Sequence, residues 1–431
     1  MKCLKATIIR DIQHFGPLFM NSFLTDLLGF PHIEVTGYEI KDHEIYINVT
    51  STLEDVHCRN CGEKTKSKGY AEEREIRHLS MNGKECYLLI KARRGICEKC
   101  DDHPTTNQRL DWYDYKSRYT KAYLKHLLLS LVNSTLEDVA TKENISADTL
   151  ERALQKMVSE KVDWSRFKTL NLIGIDEISV KKGYKNYMTI ITNKSSQKVH
   201  ILAVLKGREK ATVKVFFKSI PPKLKGTIQG VCCDMYDGYI NAALEELKGV
   251  SIIIDRFHVA KLYRKCLVKL RQSELLRLRK TLTSKTYKSL KTAIAILRRN
   301  TEVVTKEERK ELELLFKHSP KLRAGYRICR SITSIYNSRF GYKRALRSFK
   351  EWQDKVAQSD LLCFDGFAQT LTRYQEHIAN YFKGRHTSGF VEGFNNKIKT
   401  MKRRCYGIYN EKSLFRRLFL DTEGYDVFLS R

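Results

Sequence analysis

The pattern of apolar and polar positions divides the chain into stretches of different texture. Residues 1–110 hold short alternating runs, HIEVTGYEI, EIYINVT and ECYLLIKARR, which predict strands with one buried face. Residues 117–160 have the period of amphipathic helices, and residues 168–260 alternate strand and helix patterns. Residues 261–385 are almost wholly helical and basic, and the last stretch, 386–431, predicts a glycine-flanked helix.

The alternating stretch predicts a specific sheet. TLNLIGIDEI predicts a buried strand that ends in Asp176, and NYMTIITN and KVHILAVLKG predict two further strands in an antiparallel meander. A helix then leads to a fourth strand, TIQGVCCDMY, which ends in Asp234, and a second helix leads to a fifth, VSIIIDRFHV, with Asp255 at its end. This order is typical of a ribonuclease-H-like fold, in which the first and fourth strands are neighbours.

Acids at the ends of neighbouring strands predict a metal site. Asp176 and Asp234 would repel each other unless a cation lay between them, and Mg²⁺ (or Mn²⁺) prefers such oxygen ligands. A pair of these cations supports in-line displacement at phosphorus. The candidate for a third carboxylate is Glu392, which heads a basic helix. Each acid alone has an ordinary interpretation, as a strand-end aspartate or a helix-terminal glutamate, but their joint placement favours catalysis.

A second metal site is predicted near the N-terminus. Cys58 and Cys61 form one C-x-x-C pair, and Cys97 and Cys100 form another. Two such turns complete a closed tetrahedral Zn²⁺ site, which stabilises folding and takes no part in catalysis. Gly62 follows the first pair, where the turn needs a positive φ. The alternative is that these are unrelated buried cysteines.

The helical stretch 117–160 resembles a DNA-reading helix pair. Ser134 and Thr135 offer N-caps to a first helix, and Ser146 offers one to a second. The outer face of the second helix carries side chains suited to phosphate and base edges: Arg152, Gln155 and Lys156. An ordinary helical hairpin has the same pattern, so both interpretations stay open.

The composition favours nucleic acid as the partner. Lys and Arg outnumber Asp and Glu by 79 to 49, for a formal net charge of +30. No apolar run approaches the ~20 residues of a bilayer span, and the first residues lack the pattern of a signal peptide. Cysteines that occur mainly singly or in C-x-x-C pairs suit a reducing compartment. We therefore expect a cytoplasmic, nucleoid-associated protein that does not use a membrane.

Long motifs in a consistent order resemble the ISL3 family of bacterial insertion-sequence transposases. The resemblance covers nearly the whole chain and is carried by CRNCG, RRGICEKC, GIDEISVKKGYKNY, VCCDMYDGYINAA, IIIDRFHVAK and SGFVEGFNNKIKTMKRRCYG. It implies a D-D-E transposase in which Asp176, Asp234 and Glu392 hold Mg²⁺. Such an enzyme binds the terminal inverted repeats of its element, cleaves the DNA ends and joins the freed 3′-hydroxyls to target DNA.

These features together predict an α/β protein with four domains. A β-rich zinc-ribbon domain (1–110) and a helix-turn-helix domain (117–160) precede a ribonuclease-H-like catalytic domain (168–260 and 386–431), which is interrupted by a helical insertion (261–385). The insertion either clamps the transposon end or only packs and dimerises. Trp352 within it either stacks on an unpaired base or, as we favour, belongs to a core.

Further residues are predicted around the three carboxylates. Asp255 and His258 form a D-x-x-H element, which we expect to support the metal ligands from a second layer. Asp255 as a substitute ligand, and a structural role for both residues, stay open as alternatives. The helix after Glu392 carries candidate DNA contacts, with a plain solvated basic face as the alternative: Asn396, Lys397 and Lys399. Handling two DNA ends at once implies a homodimer or larger assembly.

Two other classes of function remain open. One is a domesticated DNA-binding protein that keeps the fold but no longer cuts. The other is a ribonuclease-H-like nuclease or junction resolvase that hydrolyses DNA without strand transfer.

Overall fold

The computed structural model describes most of the chain, which forms two compact units. The first comprises Met1–Met157 with Gly424–Arg431, and the second comprises Val158–Glu423. The described residues are 17–179, 187–195, 198–298, 304–386, 389–405, 407–408 and 410–429, without the side chains of 17–19 and 392. Within these ranges we find no helix with the length and apolar content that crossing a bilayer requires.

The strands of the first unit lie within residues 1–110 and its three consecutive helices lie within 117–160, as the sequence pattern predicted. One sheet has the strand order β1-β2-β5-β4, and a smaller one has the order β3-β6-β7. The elements are α1 (Pro17–Leu28), β1 (Ile33–Lys41), β2 (Glu44–Ser51), β3 (Lys66–Tyr70), β4 (Arg74–Met81), β5 (Lys84–Ile90), β6 (Arg93–Ile96), β7 (Thr105–Asn107), α2 (Lys121–Leu131), α3 (Leu136–Glu143) and α4 (Ala147–Met157).

Alternation of side chains explains the larger sheet. Ile47, Ile76 and Leu88 point into one core and are fully buried, while the residues between them are more exposed. The predicted strand runs HIEVTGYEI and EIYINVT are confirmed as β1 and β2, and the run ECYLLIKARR covers most of β5 and the start of β6.

Capping residues mark where α3 and α4 begin and where α3 ends, and the sequence predicted some of them. Thr135 accepts a hydrogen bond from the backbone N–H of Asp138, at 3.0 Å, and so begins α3. Ser146 accepts from the N–H of Thr149, at 3.2 Å, as predicted. Asn144 ends α3 in the left-handed conformation, so the chain turns sharply between the two helices.

The second unit is built on a five-stranded sheet whose strand order agrees with the prediction. The order is β10-β9-β8-β11-β12; β8, β9 and β10 are antiparallel, while β8, β11 and β12 are parallel. The first and fourth strands of this sheet are therefore neighbours. The elements are β8 (Leu172–Ser179), β9 (Tyr187–Ser195), β10 (Lys198–Lys206), α5 (Lys210–Ser219), α6 (Pro222–Lys225), β11 (Gly230–Cys233), α7 (Asp237–Glu246) and β12 (Ser251–Ile254).

Helices follow the sheet in the chain, as the basic helical texture predicted. Trp352 is 2% exposed, and its indole N–H donates to the carbonyl of Ile328 at 2.9 Å, so the core interpretation of this residue is confirmed. The elements are α8 (Arg256–Thr281), α9 (Ser284–Ser289), α10 (Lys291–Arg298), α11 (Lys306–His318), α12 (Pro320–Asn337), α13 (Tyr342–Ala357), α14 (Asp365–Ala379), α15 (Tyr381–Gly384), α16 (Gly389–Arg404) and α17 (Glu411–Phe428).

The helix α16 lies directly against β8. A Cβ atom at Gly174 would lie 2.3 Å from Cγ2 of Val391, so only glycine permits this approach. Further along the helix, Ile398 packs with Ile178 and Ile190 in a separate apolar cluster that α17 completes. The close packing brings the last part of the chain beside the strand that carries Asp176.

Candidate active site and metal centre

Strand register places three aspartates at the same edge of the sheet. Cys232 pairs with Gly174 between the parallel strands β11 and β8, so Asp234 and Asp176, each two residues further on, lie level and face the same way. Asp255 follows β12, in which Ile254 pairs with Cys233, and therefore lies level with Asp234. The predicted convergence of acids from separate strands is thus a property of the sheet.

These aspartates line a cavity of about 570 Å³. Acids lie on the side formed by the strand ends, and basic residues come from α8 and α16. The lining residues are Asp176, Glu177, Ile178, Ser179, Asp234, Asp255, Phe257, His258, Lys261, Asn395, Ile398, Lys399, Lys402 and Arg403.

The two central carboxyl groups resist ionisation in the absence of a cation. Burial raises the pKa of Asp234 to about 6; His258 opposes the rise, and the neighbouring Asp176 adds to it. Burial also raises the pKa of Asp176, although the N–H of Glu177 works against that increase. Asp255 adds to the rise at Asp176 as Asp176 does at Asp234, and half-buried carboxyl groups that disfavour one another's charge are the arrangement that a divalent cation relieves.

Hydrogen bonds leave oxygen atoms available for such a cation. Oδ1 of Asp176 accepts from the N–H of Glu177 at 2.7 Å, and its Oδ2 accepts from Nδ2 of Asn395 at 2.5 Å. Oδ1 of Asp234 is buried and receives no hydrogen bond from the described residues. A buried carboxylate oxygen without a donor is costly, and oxygen ligands suit Mg²⁺, so the residues present fit this ion.

Asp255 and His258 both reach the cavity, and Asp255 also has a structural task. Its Oδ1 accepts from the N–H of Phe257 at 2.9 Å and so caps the long helix α8. Its Oδ2 lies 4.0 Å from Nε2 of His258. The pair therefore lies beside the two central aspartates, at the N-terminus of α8.

Glu177 contributes a fourth acid to the wall, but its charge is already paired. Its carboxylate lies 3.2 Å from the Arg208 guanidinium, which in turn lies over the rings of Tyr187 and Tyr236. Asp176 and Asp234, by contrast, form no ion pair with a lysine or arginine among the described residues.

The residues predicted on α16 differ in their placement. The backbone of Glu392 belongs to this helix, and its side chain lies outside the described part of the structure. Lys399 lines the cavity, and Asn396 is exposed. Lys397 does not reach the cavity: its half-buried ammonium donates to the carbonyl of Asp421 at 2.5 Å, and burial lowers its pKa. Its predicted role in DNA contact is therefore replaced by a packing role between α16 and α17.

Several cavity residues escaped the sequence reasoning. Asn395 contacts Asp176, and Lys261, Lys402 and Arg403 add positive charge to the rim. Asn395 and Lys402, with the predicted Lys399 between them, recur every three to four residues after Glu392, which is the spacing of one helix face. That period was the available signal.

The four paired cysteines form the metal centre of the first unit. Their Sγ atoms all lie within 4.8 Å of one another. Backbone N–H groups lower the pKa of the Cys58 thiol to about 6, which favours the thiolate that binds zinc. Gly62 has φ of +76°, as predicted for the turn.

Other histidine and cysteine residues of this part of the chain make contacts outside the four-cysteine cluster. Nδ1 of His103 lies 2.9 Å from the carbonyl oxygen of Cys97, and Nδ1 of His57 lies 3.2 Å from that of Gly62. Cys86 is buried in the core of the larger sheet.

The residues predicted to read DNA are exposed on α4. Arg152 donates to the carbonyl of Asp148, Gln155 donates to Glu151, and Lys156 pairs with Asp114 at 2.5 Å. These contacts are surface contacts that a charged ligand can displace at little cost.

Two family models match the chain. A model described as a transposase matches residues 173–418, and one described as the zinc-finger of transposase IS204/IS1001/IS1096/IS1165 matches residues 54–100. The protein is therefore a DNA transposase with an N-terminal zinc ribbon. It belongs to the ISL3 transposase family, and both predictions are confirmed.

Curated relatives match over nearly their whole length. The transposase for insertion sequence element IS1001 of Bordetella parapertussis is 25% identical over 381 residues, which cover 87% of this chain and 90% of the relative. The transposase for IS1557 of Mycobacterium tuberculosis is 22% identical over 393 residues, with 85% and 86% covered. Among solved structures, the Drosophila P element transposase strand transfer complex aligns with a TM-score of 0.39 and 11% identity, covering 71% of this chain and 92% of that one.

Proposed function

We propose that this transposase is a D-D-E enzyme whose catalytic domain has a ribonuclease-H-like fold. The observation that carries the proposal is the level placement of Asp176 and Asp234 on adjacent parallel strands, in a cavity where neither acid has a cationic partner at ion-pair distance among the described residues. Glu392 is the third carboxylate, supported by its position on α16, whose residue Asn395 contacts Asp176.

Mg²⁺ is the proposed cofactor of this cavity. Asp176, Asp234 and Glu392 would hold it, with Asp255 and His258 as supports outside the ligand set. Bound divalent cations supply activation of an attacking water or 3′-hydroxyl and stabilisation of the leaving oxygen. The protein's own residues confine the reacting phosphate: the acids form one wall, and Lys261, Lys399 and Arg403 supply positive charge on the other.

We further propose that the first unit binds the inverted repeats at the ends of the element. The trio α2 to α4 serves as a helix-turn-helix, with α4 presenting the exposed Arg152, Gln155 and Lys156 to the major groove. Zinc bound by the four cysteines fixes the ribbon that precedes it. A net charge of +30 supports binding to the DNA backbone in both units.

The domain plan follows from these roles. The catalytic domain comprises 168–260 and 386–431, and the helical residues 261–385 are an insertion that we assign to holding the transposon end. Assembly as a dimer, with one chain per end, follows from the need to bring two ends together.

The test is cleavage and strand transfer on DNA that carries the element's terminal repeats, with Mg²⁺. We expect Asp176→Asn and Asp234→Asn each to reduce both activities by more than the roughly 10- to 100-fold typical of residues that support a metal from outside its ligand set. Asp163→Asn is the matched control, since Asp163 is exposed and outside the cavity. Binding of the repeats should survive in all three variants.

Two outcomes would favour the other classes of function. An Asp234→Asn protein as active as the parent would overturn the D-D-E proposal. Nicked DNA that never proceeds to joined product would point to a nuclease of the same fold.

A further inference from the structure

A buried asparagine beside Asp176 uses the NH₂ group of its side-chain amide in a hydrogen bond but not the carbonyl oxygen. Asn395 is 7% exposed on α16, and its Nδ2 donates to Oδ2 of Asp176 at 2.5 Å. The orientation of the amide follows from chemistry for the ionised Asp176 that a cation requires, because a carboxylate only accepts hydrogen bonds and the NH₂ group must then face it. The carbonyl oxygen Oδ1 is then directed elsewhere.

That carbonyl oxygen is buried and has no hydrogen-bond donor among the described residues. A buried acceptor without a donor destabilises the fold, and such atoms are rare in proteins. The same cavity holds a second buried acceptor in the same condition, Oδ1 of Asp234. Two buried acceptors without donors in one acid-lined cavity indicate that donors or a cation arrive with a ligand.

A hydrated Mg²⁺ ion supplies both. Mg²⁺ keeps several of its water molecules when it binds to carboxylates, and each such water donates hydrogen bonds strongly. A water on an ion between Asp176 and Asp234 can donate to the carbonyl of Asn395, while the ion itself satisfies the carboxylate oxygens. Partners of this kind orient the ligands and tune the affinity of a metal site.

We propose that Asn395 is a positioning residue of the metal site: its NH₂ group fixes the Asp176 carboxylate, and its carbonyl accepts from the hydration shell of the bound cation. This inference rests on the proposed function, since it takes Asp176 and Asp234 as metal ligands. Because Asn395 lies on α16 and Asp176 on β8, the hydrogen bond also ties the last part of the chain to the strand.

An asparagine suits this role better than an acid. Its amide carries no net charge, so it holds Asp176 without adding to the repulsion between the aspartates. An aspartate at the same place would lose the donor and add a negative charge against Asp176.

The experiment measures Mn²⁺ binding to the full-length protein without DNA, by calorimetry, and DNA cleavage separately. We expect Asn395→Ala to weaken Mn²⁺ affinity and Mg²⁺-dependent cleavage by roughly 10- to 100-fold. Thr400→Ala is the matched control, because Thr400 is an exposed polar residue on the same helix whose hydroxyl bonds only to the carbonyl of Asn396 among the described contacts. It should bind Mn²⁺ as the parent does.

A second variant separates the effect of Asn395 on the metal site from its effect on folding. Asn395→Asp is close in shape, and we expect its thermal unfolding without cation to occur at a lower temperature than that of the parent, with a larger upward shift on adding Mn²⁺. An Asn395→Asp protein that unfolds and responds to Mn²⁺ like the parent would overturn the proposal, as would unchanged Mn²⁺ affinity in a folded Asn395→Ala protein.

Asp234→Asn distinguishes the two levels of the argument. If Asp234→Asn abolishes Mn²⁺ binding but Asn395→Ala does not weaken it, the D-D-E site stands and the role of Asn395 is wrong. If Asp234→Asn retains Mn²⁺ binding and cleavage, the proposed metal site itself fails.

Discussion

At the scale of single residues, the role of a lysine depends more on its surroundings than on its charge. Lys397 and Lys399 are two positions apart on α16, yet the ammonium of Lys397 is half-buried against a backbone carbonyl and Lys399 is exposed at the cavity. A helix turns by about 100° per residue, so positions two apart face different neighbours. The two lysines should therefore affect different properties of the protein.

We expect Lys399→Ala to weaken binding to DNA and to lower the slope of log affinity against log salt by about one contact, because a phosphate partner is lost. Lys397→Ala should leave that slope unchanged and lower the free energy of unfolding by roughly 1 kcal/mol, because a partly buried hydrogen bond is lost. Anisotropy titrations at several salt concentrations and urea unfolding measure the two effects. An equal change of slope in both variants would contradict this division.

The sequence predicted the positions of some of these residues but not the contacts of others. Asp176 and Asp234 were predictable because each ends an apolar run in a recognisable strand order. Lys397 was misplaced because the basic helix gives no local signal of which face meets α17. Asn395 was passed over because its hydrogen bond to Asp176 depends on how a distant helix packs against β8.

At the scale of elements, the helix α8 begins at an acid that also faces the cavity. Asp255 ends one element and starts the next, since it follows β12 and accepts the N–H of Phe257. It is buried and lies beside His258, so it is the first alternative to a member of the proposed trio of metal ligands. Capping and charge can be separated, because asparagine caps helices about as well as aspartate.

Asp255→Asn should therefore unfold at the same urea concentration as the parent, whereas Asp255→Ala should lose about 1 kcal/mol of stability with the cap. We also expect Asp255→Asn to retain more Mn²⁺ binding and cleavage than Asp234→Asn, because Asp255 stands outside the proposed trio. Urea denaturation and calorimetry provide the readouts. Loss of Mn²⁺ binding as complete as in Asp234→Asn would place Asp255 among the ligands.

The order of elements was accessible from sequence, while their close contacts were not. Each strand of the five-stranded sheet, and each helix between its strands, leaves a local pattern of apolar residues, and the parallel pairing of β8 with β11 follows from the predicted order. Nothing local distinguishes Gly174 inside TLNLIGIDEI as the point where α16 approaches. Ser134 and Thr135 were both candidates for the N-cap of α3, and Thr135 is the one that makes the bond.

At the scale of the whole molecule, the two units carry candidate metal sites of different chemistry. The four-cysteine centre belongs to the first unit and the acid-lined cavity to the second. Thiolates select zinc and carboxylates select Mg²⁺, so the two sites respond to different chelators and competitors. The functions assigned to the units can therefore be removed one at a time.

We expect a zinc chelator, or Cys97→Ser combined with Cys100→Ser, to release about one zinc ion per chain and to weaken binding to the terminal repeats. Mn²⁺ binding by the second unit should persist. Zinc released to a colorimetric indicator and anisotropy with repeat DNA measure these changes. Cys86→Ala is the control, because Cys86 lies in the sheet core away from the cluster; equal zinc loss in this variant would contradict the assignment.

The packing of α16 and α17 on the sheet also sets the order in which the protein can be built. Ile178 and Ile190 are made early, but the helix residues that cover them, such as Ile398 and Leu414, leave the ribosome only after the long helical segment has been synthesised. Until then the nascent chain presents an uncovered apolar sheet face, which favours aggregation and chaperone binding. A gene copy interrupted anywhere within α8 to α15 would keep that face exposed permanently. We therefore expect such decayed copies to be degraded.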